Sequence, residues 1–277
     1  MARLFDSHMH LDIDIYDEKE RLEVAKKIGE SDVEYAVDIG FDLNSSAMAV
    51  KHSEEYPWCY AAVGFHPHEV KNMDEDSLAL IKGLSKKPKV VAIGEIGLDY
   101  YRNLSSEEDQ LHWFIEQTRL ALELGMPIII HDRDAHGEVL RILKEEGVFS
   151  EERKSKFPVN PITGTVDDAR LLMHCYSGSA ELAEQYVKLG ATLSVAGPVT
   201  YKNNRKTGEV VDAIPLAHLL IETDAPYLTP EPFRGKSNIS PYVEFTARKI
   251  AAIKGISYEE VAETTLANAK RFFGIDQ

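Results

Sequence analysis

Six residues of the kinds that bind metal ions stand where short apolar runs of this sequence end. They are four histidines and two acids: His8, His10, Glu95, His131, His174 and Asp224. Imidazole nitrogens and carboxylate oxygens bind divalent cations, and a carboxylate can bridge two of them. Such a site activates water for hydrolysis. A lone histidine or acid in such a place is usually hydrogen-bonded or ion-paired, so the inference requires that the fold bring all six together.

Glu95 follows the clearest of these runs. Residues 90–93 are four consecutive apolar residues, which is typical of a strand buried on both faces in a parallel sheet. A carboxylate at the mouth of such a strand is costly to desolvate unless a cation or hydrogen-bond donors meet it. Taken alone, the position fits a metal ligand and a salt-bridged or capping residue equally well.

Two pairs of histidines flank other strand ends. His8 and His10 follow a first strand, and because side chains alternate along a strand, both imidazoles point to one side and can share an ion. His66 and His68 lie beside Pro67, just beyond the third strand, and are predicted to be loop residues over the same mouth. They fit metal ligands, substrate-facing donors or structural groups, and we favour substrate contact for His66.

The elements that must position these side chains alternate along the chain. Strands are predicted at 4–6, 33–40, 59–64, 90–93, 128–130, 170–173, 191–196 and 219–221. Helices are predicted at 17–30, 45–55, 74–85, 107–125, 136–147, 180–189 and 257–273, with a short one after 206. This alternation predicts an α/β protein with a parallel sheet, and eight units predict a (β/α)8 TIM barrel formed as a single domain by residues 1–277. Catalytic residues of that fold lie at the carboxyl ends of the strands, so the six side chains converge.

Composition narrows the classes of protein. The 277 residues are 44% apolar, and no apolar run approaches the roughly 18 residues of a membrane span, so we predict no membrane partner. The two cysteines, Cys59 and Cys175, form no CxxC pair, which predicts no disulfide framework and a reducing, cytoplasmic location. The net charge of −15, from 31 basic and 46 acidic residues, argues against broad adhesion to nucleic acid but leaves a local basic site possible.

The motifs resemble those of the TatD family of metal-dependent deoxyribonucleases, within the amidohydrolase-like barrels. The resemblance covers nearly the whole chain and rests on residues 8–10, 64–68, 94–100, 131–133, 174–178, 222–228 and 234–236. It implies hydrolysis of DNA phosphodiester bonds, with a single strand or a strand end as the partner. It also implies two divalent ions (magnesium, manganese or zinc), with these ligands: His8, His10 and Asp224 on one, His131 and His174 on the other, and Glu95 on both.

Catalytic roles are predicted for Asp224 and Glu95. Asp224 is placed to take a proton from the attacking water as well as to bind metal. Glu222 is expected to point away from the site, with three roles left open: support of the metal ligands from behind, a structural role or a catalytic one. Cys175 is expected to point away as a small buried apolar residue. A metal-dependent amidohydrolase or esterase for a small molecule remains an alternative, since the same ions polarise a carbonyl. A metal-binding protein without catalysis is the third.

A local basic rim is predicted around the mouth of the barrel. Arg133 can clamp a phosphate with two hydrogen bonds, and an ion pair with a neighbouring aspartate is its alternative. Basic residues after strands four, seven and eight are expected to join it: Arg102, Lys202, Arg205, Lys206, Arg234 and Lys236. The predicted substrate-binding residues are His66, Arg133, Lys202, Arg205 and Arg234. Solvated surface charge is the competing interpretation of these loops.

The segment 148–168 lengthens the connection between His131 and His174 beyond the family pattern. It mixes charges with prolines and glycines and is predicted to be irregular. Because it joins a helix to the following strand, it is expected at the N-terminal face of the barrel, where residues serve stability rather than chemistry.

Overall fold

The computed structural model describes residues 2–11, 16–161, 164 and 167–275. These residues form eight strands in a parallel sheet: β1 Leu4–Met9, β2 Val33–Ile39, β3 Cys59–Val63, β4 Val90–Asp99, β5 Ile128–Arg133, β6 Leu171–Met173, β7 Thr192–Val195 and β8 Leu219–Ile221. They also form ten helices: α1 Glu18–Gly29, α2 Leu43–Glu55, α3 Glu75–Leu84, α4 Glu107–Leu124, α5 His136–Glu145, α6 Glu151–Lys154, α7 Ala180–Lys188, α8 Arg205–Ala213, α9 Val243–Lys254 and α10 Tyr258–Phe273. Helices alternate with strands as predicted.

The sheet follows chain order from β1 to β8 and closes where the residues after β8 meet the end of β1. The Asp224 N–H donates to the His8 carbonyl oxygen at 2.9 Å, and the His10 N–H donates to the Ala225 carbonyl oxygen at 2.8 Å. Closure satisfies backbone groups that an open edge would leave unpaired. The predicted (β/α)8 barrel is confirmed, and its closing hydrogen bonds hold three predicted ligands side by side.

The inner face of the barrel carries both its core and its chemistry. Ile129 of β5 and Leu172 of β6 are fully buried members of one apolar cluster. Side chains two residues apart share a face of a strand, so His131 and His174 point the same way as these two, one step nearer the mouth. Replacing Leu172 with alanine would leave a cavity and cost about 2–5 kcal/mol of stability. The packing of the inner core therefore sets the direction in which the imidazoles of His131 and His174 point.

The helices begin at side chains that satisfy their first N–H groups. Asp17, Asp42 and Ser257 each accept a hydrogen bond from the backbone N–H three residues later, at the starts of α1, α2 and α10. Each such cap stabilises its helix by about 1 kcal/mol. Gly125 ends α4 with a φ of 65°, a conformation that costs glycine little. None of the described helices is long and apolar enough to span a membrane.

Several elements differ from the sequence prediction, and β1 and β5 each extend three residues further than predicted, to Met9 and Arg133. β4 continues past Gly94 to Asp99, because buried imidazoles partner the acids that interrupt its apolar run. The helix α9 was not predicted, although its buried residues recur with helical spacing. α8 begins at Arg205, so the basic loop before it is shorter than expected.

The segment 148–168 contains the short helix α6, and its residues 162, 163, 165 and 166 lie outside the described residues. Arg153 of this helix is buried and donates to two carbonyl oxygens, those of Met126 and Ala169, each at 2.9 Å. Met126 precedes β5 and Ala169 precedes β6. Arg153 therefore attaches the start of the segment to the N-terminal face, opposite the predicted site.

Candidate metal centre

The six predicted ligands converge at the carboxyl ends of the strands. Five of them line a cavity of about 750 Å³: His10, Glu95, His131, His174 and Asp224. His8 is fully buried behind them, and its ring stacks on that of His174 with 3.7 Å between centroids. The prediction that these side chains meet at one mouth agrees with the structure.

The first half-site consists of His8, His10, Glu95 and Asp224. The Nε2 atom of His8 lies 3.4 Å from Glu95 Oε2 and 3.8 Å from Asp224 Oδ1, and His10 Nε2 lies 3.6 Å from the same Asp224 oxygen. Ligands that surround one ion at about 2.1 Å lie roughly 3–4 Å from each other. His10 Nδ1–H donates to the Ile39 carbonyl oxygen at 2.9 Å, so Nε2 is the ring nitrogen that faces the half-site.

His8 provides a direct test of whether this half-site fits a cation. Its ring is fully buried, yet neither ring nitrogen makes a hydrogen bond to any residue that the structure describes. Burial, together with the nearby His174, lowers the pKa of His8, so the ring is neutral and keeps a lone pair. Buried polar atoms are rarely left without a partner. A divalent cation between His8, His10 and the two carboxylates would be the partner that the imidazole of His8 lacks.

The second half-site consists of Glu95, His66, His131 and His174. Three imidazole nitrogens surround Glu95 Oε1: His131 Nδ1 at 2.7 Å, His174 Nε2 at 3.1 Å and His66 Nε2 at 3.7 Å. Because Oε2 of Glu95 faces the first half-site and Oε1 faces the second, this one carboxylate can bridge two ions. His66 was favoured as a substrate contact, but its Nε2 lies among the donor atoms here, 3.2 Å from His131 Nδ1.

The charges of the site favour cations. Burial opposes ionisation of Glu95, but the neighbouring His174 and His66 outweigh it and hold the pKa of Glu95 well below its usual range. Burial likewise opposes ionisation of Asp224, but a hydrogen bond from His10 and the nearby histidines lower its pKa. Both carboxylates are therefore ionised at neutral pH, which supplies two negative charges shared between the half-sites.

Asp99 is a site residue that the sequence analysis missed. Its Oδ2 accepts hydrogen bonds from His131 Nε2 at 3.2 Å and from His68 Nε2 at 2.8 Å. Burial lowers the pKa of His131, but its bonds to Asp99 and Glu95 prevail and raise it to about 9. Without a cation, both ring nitrogens of His131 therefore carry a proton at neutral pH. A cation bound beside Glu95 would take the place of the proton on Nδ1. The sequence contained a signal for this position, because Asp99 lies four residues after Glu95 and residues four apart on a strand share a face.

Glu222 was expected to point away from the site, and that expectation is wrong. Its Oε1 accepts a hydrogen bond from His174 Nδ1 at 3.0 Å, and its Oε2 accepts one from Ser194 Oγ at 2.5 Å. The reason is strand alternation: Leu220 belongs to the inner cluster, and Glu222, two residues later, keeps that face. Burial lowers the pKa of His174, but Glu222 and Glu95 outweigh it and raise that pKa well above its usual value. Because Glu222 holds Nδ1, the atom of His174 that faces Glu95 is Nε2, and a cation would replace the proton there.

Cys175 was expected to point away as a small buried residue, and it instead lines the cavity. Its backbone has a φ of 44°, in the left-handed region, which interrupts the alternation that the prediction assumed. Burial, with the nearby carboxylates, raises the pKa of the thiol well above its usual value. The thiol therefore stays protonated at neutral pH in the metal-free protein.

Arg133 lines the cavity, as its predicted role requires. Its guanidinium carbon lies 4.0 Å from the centroid of the Tyr101 ring, and this stacking takes the place of the ion pair with a neighbouring aspartate that was the alternative. Asp132 instead lies 2.8 Å from His136 Nδ1. Arg102, after β4, lines the cavity as well.

The other predicted basic contacts lie farther out. Lys202, Arg205 and Arg234 are not among the residues that line the cavity, although Asn204, just before α8, and Thr207 of α8 are. Arg234 stacks on Tyr201, with its guanidinium carbon 4.3 Å from the ring centroid. The structure therefore separates an inner pair of arginines, Arg102 and Arg133, from basic residues outside the cavity lining.

A closed parallel barrel with two imidazole–carboxylate half-sites joined by one glutamate is an arrangement suited to a metal-dependent hydrolase. Comparison with known proteins identifies the family. Residues 5–274 match the family model described as TatD related DNase, and the chain belongs to that family.

Relatives of known name and structure cover nearly all of the chain. It is 45% identical to the uncharacterized metal-dependent hydrolase YabD of Bacillus subtilis, over 99% of this chain and all of the relative. It is 34% identical to the 3′-5′ ssDNA/RNA exonuclease TatD of Escherichia fergusonii, over 93% of this chain and 94% of that one. The crystal structure of YJJV, a TatD homologue from Escherichia coli, superposes with a TM-score of 0.83 at 27% identity, covering 99% and 98% of the chains. The predicted family and its metal dependence are confirmed.

Proposed function

We propose that this protein is a two-metal exonuclease that removes nucleotides from the 3′ end of single-stranded nucleic acid, with DNA as a substrate. The observation that carries the proposal is the position of Glu95, which offers one carboxylate oxygen to each half-site. Two ions so bridged suit the displacement at a phosphodiester, where attacking and leaving oxygens both need stabilisation. Strand preference and polarity follow the name of the exonuclease relative from Escherichia fergusonii.

Two divalent ions, when bound, supply an activated water near neutral pH and offset the charge of the reacting phosphoryl group. His8, His10 and Asp224 would hold one, and His131 and His174 would hold the other with His66 beside them; Glu95 would hold both. Nitrogen-rich sites favour zinc, and magnesium and manganese are less suited because they prefer oxygen ligands.

Asp224 is the residue we assign to the proton transfer. Its side chain is 16% exposed toward the cavity, whereas that of Glu95 is only 4% exposed, so a water molecule reaches Asp224 more readily. Because its pKa is lowered, the carboxylate is ionised and accepts a proton from the attacking water. Arg102 and Arg133, on the wall of the cavity, are placed to hold phosphate oxygens.

The size of the cavity favours a strand end. A volume of about 750 Å³ lies within the range of pockets that enclose small ligands. Such a pocket accommodates a terminal nucleotide and its neighbour, whereas base pairing holds the ends of a duplex together outside it. This supports exonuclease action on unpaired ends over cutting within a duplex.

The test is a comparison of labelled substrates with metal-replete protein. We expect 5′-labelled single-stranded DNA to be shortened stepwise from its 3′ end, blunt duplex DNA to be degraded far more slowly, and chelation to stop both reactions. Glu95→Gln protein serves as the matched control for a contaminating nuclease. Turnover of a panel of amides or esters without turnover of nucleic acid would instead establish the small-molecule hydrolase.

A further inference from the structure

Two arginines on the cavity wall lack acidic partners in a strongly acidic protein. Arg102 and Arg133 are exposed, and no carboxylate pairs with either guanidinium among the residues that the structure describes. The arginines of the outer helices differ: Arg119, Arg141 and Arg248 each bind glutamates. Arg102 follows β4 and Arg133 is the last residue of β5, so both lie beside the second half-site, where anionic groups of a substrate would be held.

Tyr101 supports this pair and leaves much of its own ring exposed. Arg133 stacks on it at 4.0 Å, yet 63% of the tyrosine side chain remains exposed, more than for any other large apolar side chain in the described ranges. So much exposed ring beside a cavity leaves a surface on which a planar ligand can stack. Beside a nucleotide-sized cavity, the fitting ligand is a planar group with a π-face.

The position of this ring relative to the metals is fixed by one carboxylate. Asp99 Oδ1 accepts from the backbone N–H groups of Tyr101 at 3.0 Å and Arg102 at 2.8 Å. The other oxygen of Asp99 binds His131 of the second half-site. Asp99 thus ties the backbone of Tyr101 and Arg102 to a predicted metal ligand, and Arg133 stacks on the ring. A base stacked on Tyr101 would therefore lie close to a phosphate held at the second half-site.

We propose that Tyr101 is a stacking platform for a nucleobase of the bound strand, with Arg133 behind it and Arg102 beside it to hold the adjoining phosphate. This proposal rests on the function proposed above. It identifies the feature of the substrate that the protein recognises, which is an unpaired base. A base inside a duplex is stacked on its neighbours and has no free face to offer. Every base has a π-face, so the preference is for unpaired over paired nucleotides and is tolerant of sequence.

The experiment compares two single strands that differ only in their bases. Both are 5′-labelled, and in one the nucleotides at the 3′ end are abasic. We expect wild-type protein to show a KM about five- to hundredfold lower for the base-bearing strand, which is the range of one base–aromatic stack. Tyr101→Ala is expected to abolish that preference, and Tyr101→Phe, which keeps the ring, to retain it. Leu104→Ala removes an exposed apolar side chain from the same loop and is the matched control.

The ratio of the two KM values distinguishes a loss of base stacking from damage to the metal site, because a misplaced metal site slows hydrolysis of both strands equally. The proposal is overturned if Tyr101→Ala keeps the wild-type ratio, or if wild-type protein degrades both strands with equal KM. The second result needs no variant and leaves the exonuclease function standing. Wild-type protein that degrades neither strand refutes the exonuclease function itself, and the platform with it.

Discussion

Replacing Glu222 with glutamine is expected to weaken metal binding at the second half-site while leaving the barrel folded. Glu222 is fully buried and holds His174 Nδ1 through one oxygen and Ser194 Oγ through the other. Glutamine has nearly the same shape and can still accept from His174 and donate to Ser194. What changes is the charge: a neutral acceptor makes the imidazole a poorer electron donor to the metal.

The size of the effect follows from the hydrogen bond that is altered. A bond to an ionised acceptor contributes about 1.5–3 kcal/mol and a neutral one about 0.5–1.5 kcal/mol, so the difference is about 1–1.5 kcal/mol. That corresponds to metal affinity roughly tenfold weaker. It lies at the lower end of the 10–100-fold losses that are usual when a group behind a metal ligand is replaced.

Calorimetric titration of metal-free protein measures this loss, and activity titrated with the same metal checks it. We expect the activation curve of Glu222→Gln to shift about tenfold toward higher metal and the kcat at saturation to return near the wild-type value. Ser194→Ala is the control, with a smaller shift because Ser194 touches Glu222 and not the ligand. Unchanged affinity would refute the role assigned to Glu222, and activity that stays lost at saturating metal would mean that Glu222 acts on the substrate.

Three further changes test other parts of the structure. Glu95→Gln removes the bridging charge and is expected to lower metal content and abolish turnover in a folded protein, measured by elemental analysis and circular dichroism; wild-type activity would contradict bridging. Lys202, Arg205 and Lys206 changed together to alanine should raise KM for DNA and flatten its salt slope by up to about 2, with a small phosphodiester hydrolysed normally; equal losses on both would mean metal-site damage. Arg153→Ala leaves two buried carbonyl oxygens unpaired and should cost about 2–4 kcal/mol in urea denaturation, while unaltered kcat/KM confirms its distance from the site.

The features that were predicted from sequence depend on local patterns and on the topology they imply. An apolar run followed by His131 or His174 indicates a buried strand and its end, and eight alternating units place all such ends at one mouth. No knowledge of packing is needed for that step. The helix α9 was missed for a related reason, since its apolar spacing was present but loops rich in proline and glycine precede it.

The features that were not predicted depend on backbone geometry and on the true length of strands. Asp99 belongs to the site because β4 continues through Gly94 and Gly97, a residue type that usually indicates the end of a strand. Cys175 faces the cavity because its φ is positive, which an alternating pattern cannot reveal. Which nitrogen of His174 faces the metal is set by Glu222, 48 residues away, and contacts between distant parts of a chain are not written in its local pattern.

The acidic balance of the chain and an anionic substrate are compatible because of where the acids lie. Glu95, Asp99 and Asp224 each contact histidines. Glu95 and Asp224 would also bind the cations that the half-sites fit. Their charge is thus offset inside the cavity, whereas Arg102 and Arg133 on its wall have no carboxylate partner among the described residues. The net charge of −15 then acts mainly from the outer surface. Under the proposed exonuclease function, we expect a strand to be held by a few contacts at its end and repelled elsewhere, which favours release after each short step over long tracking along the strand.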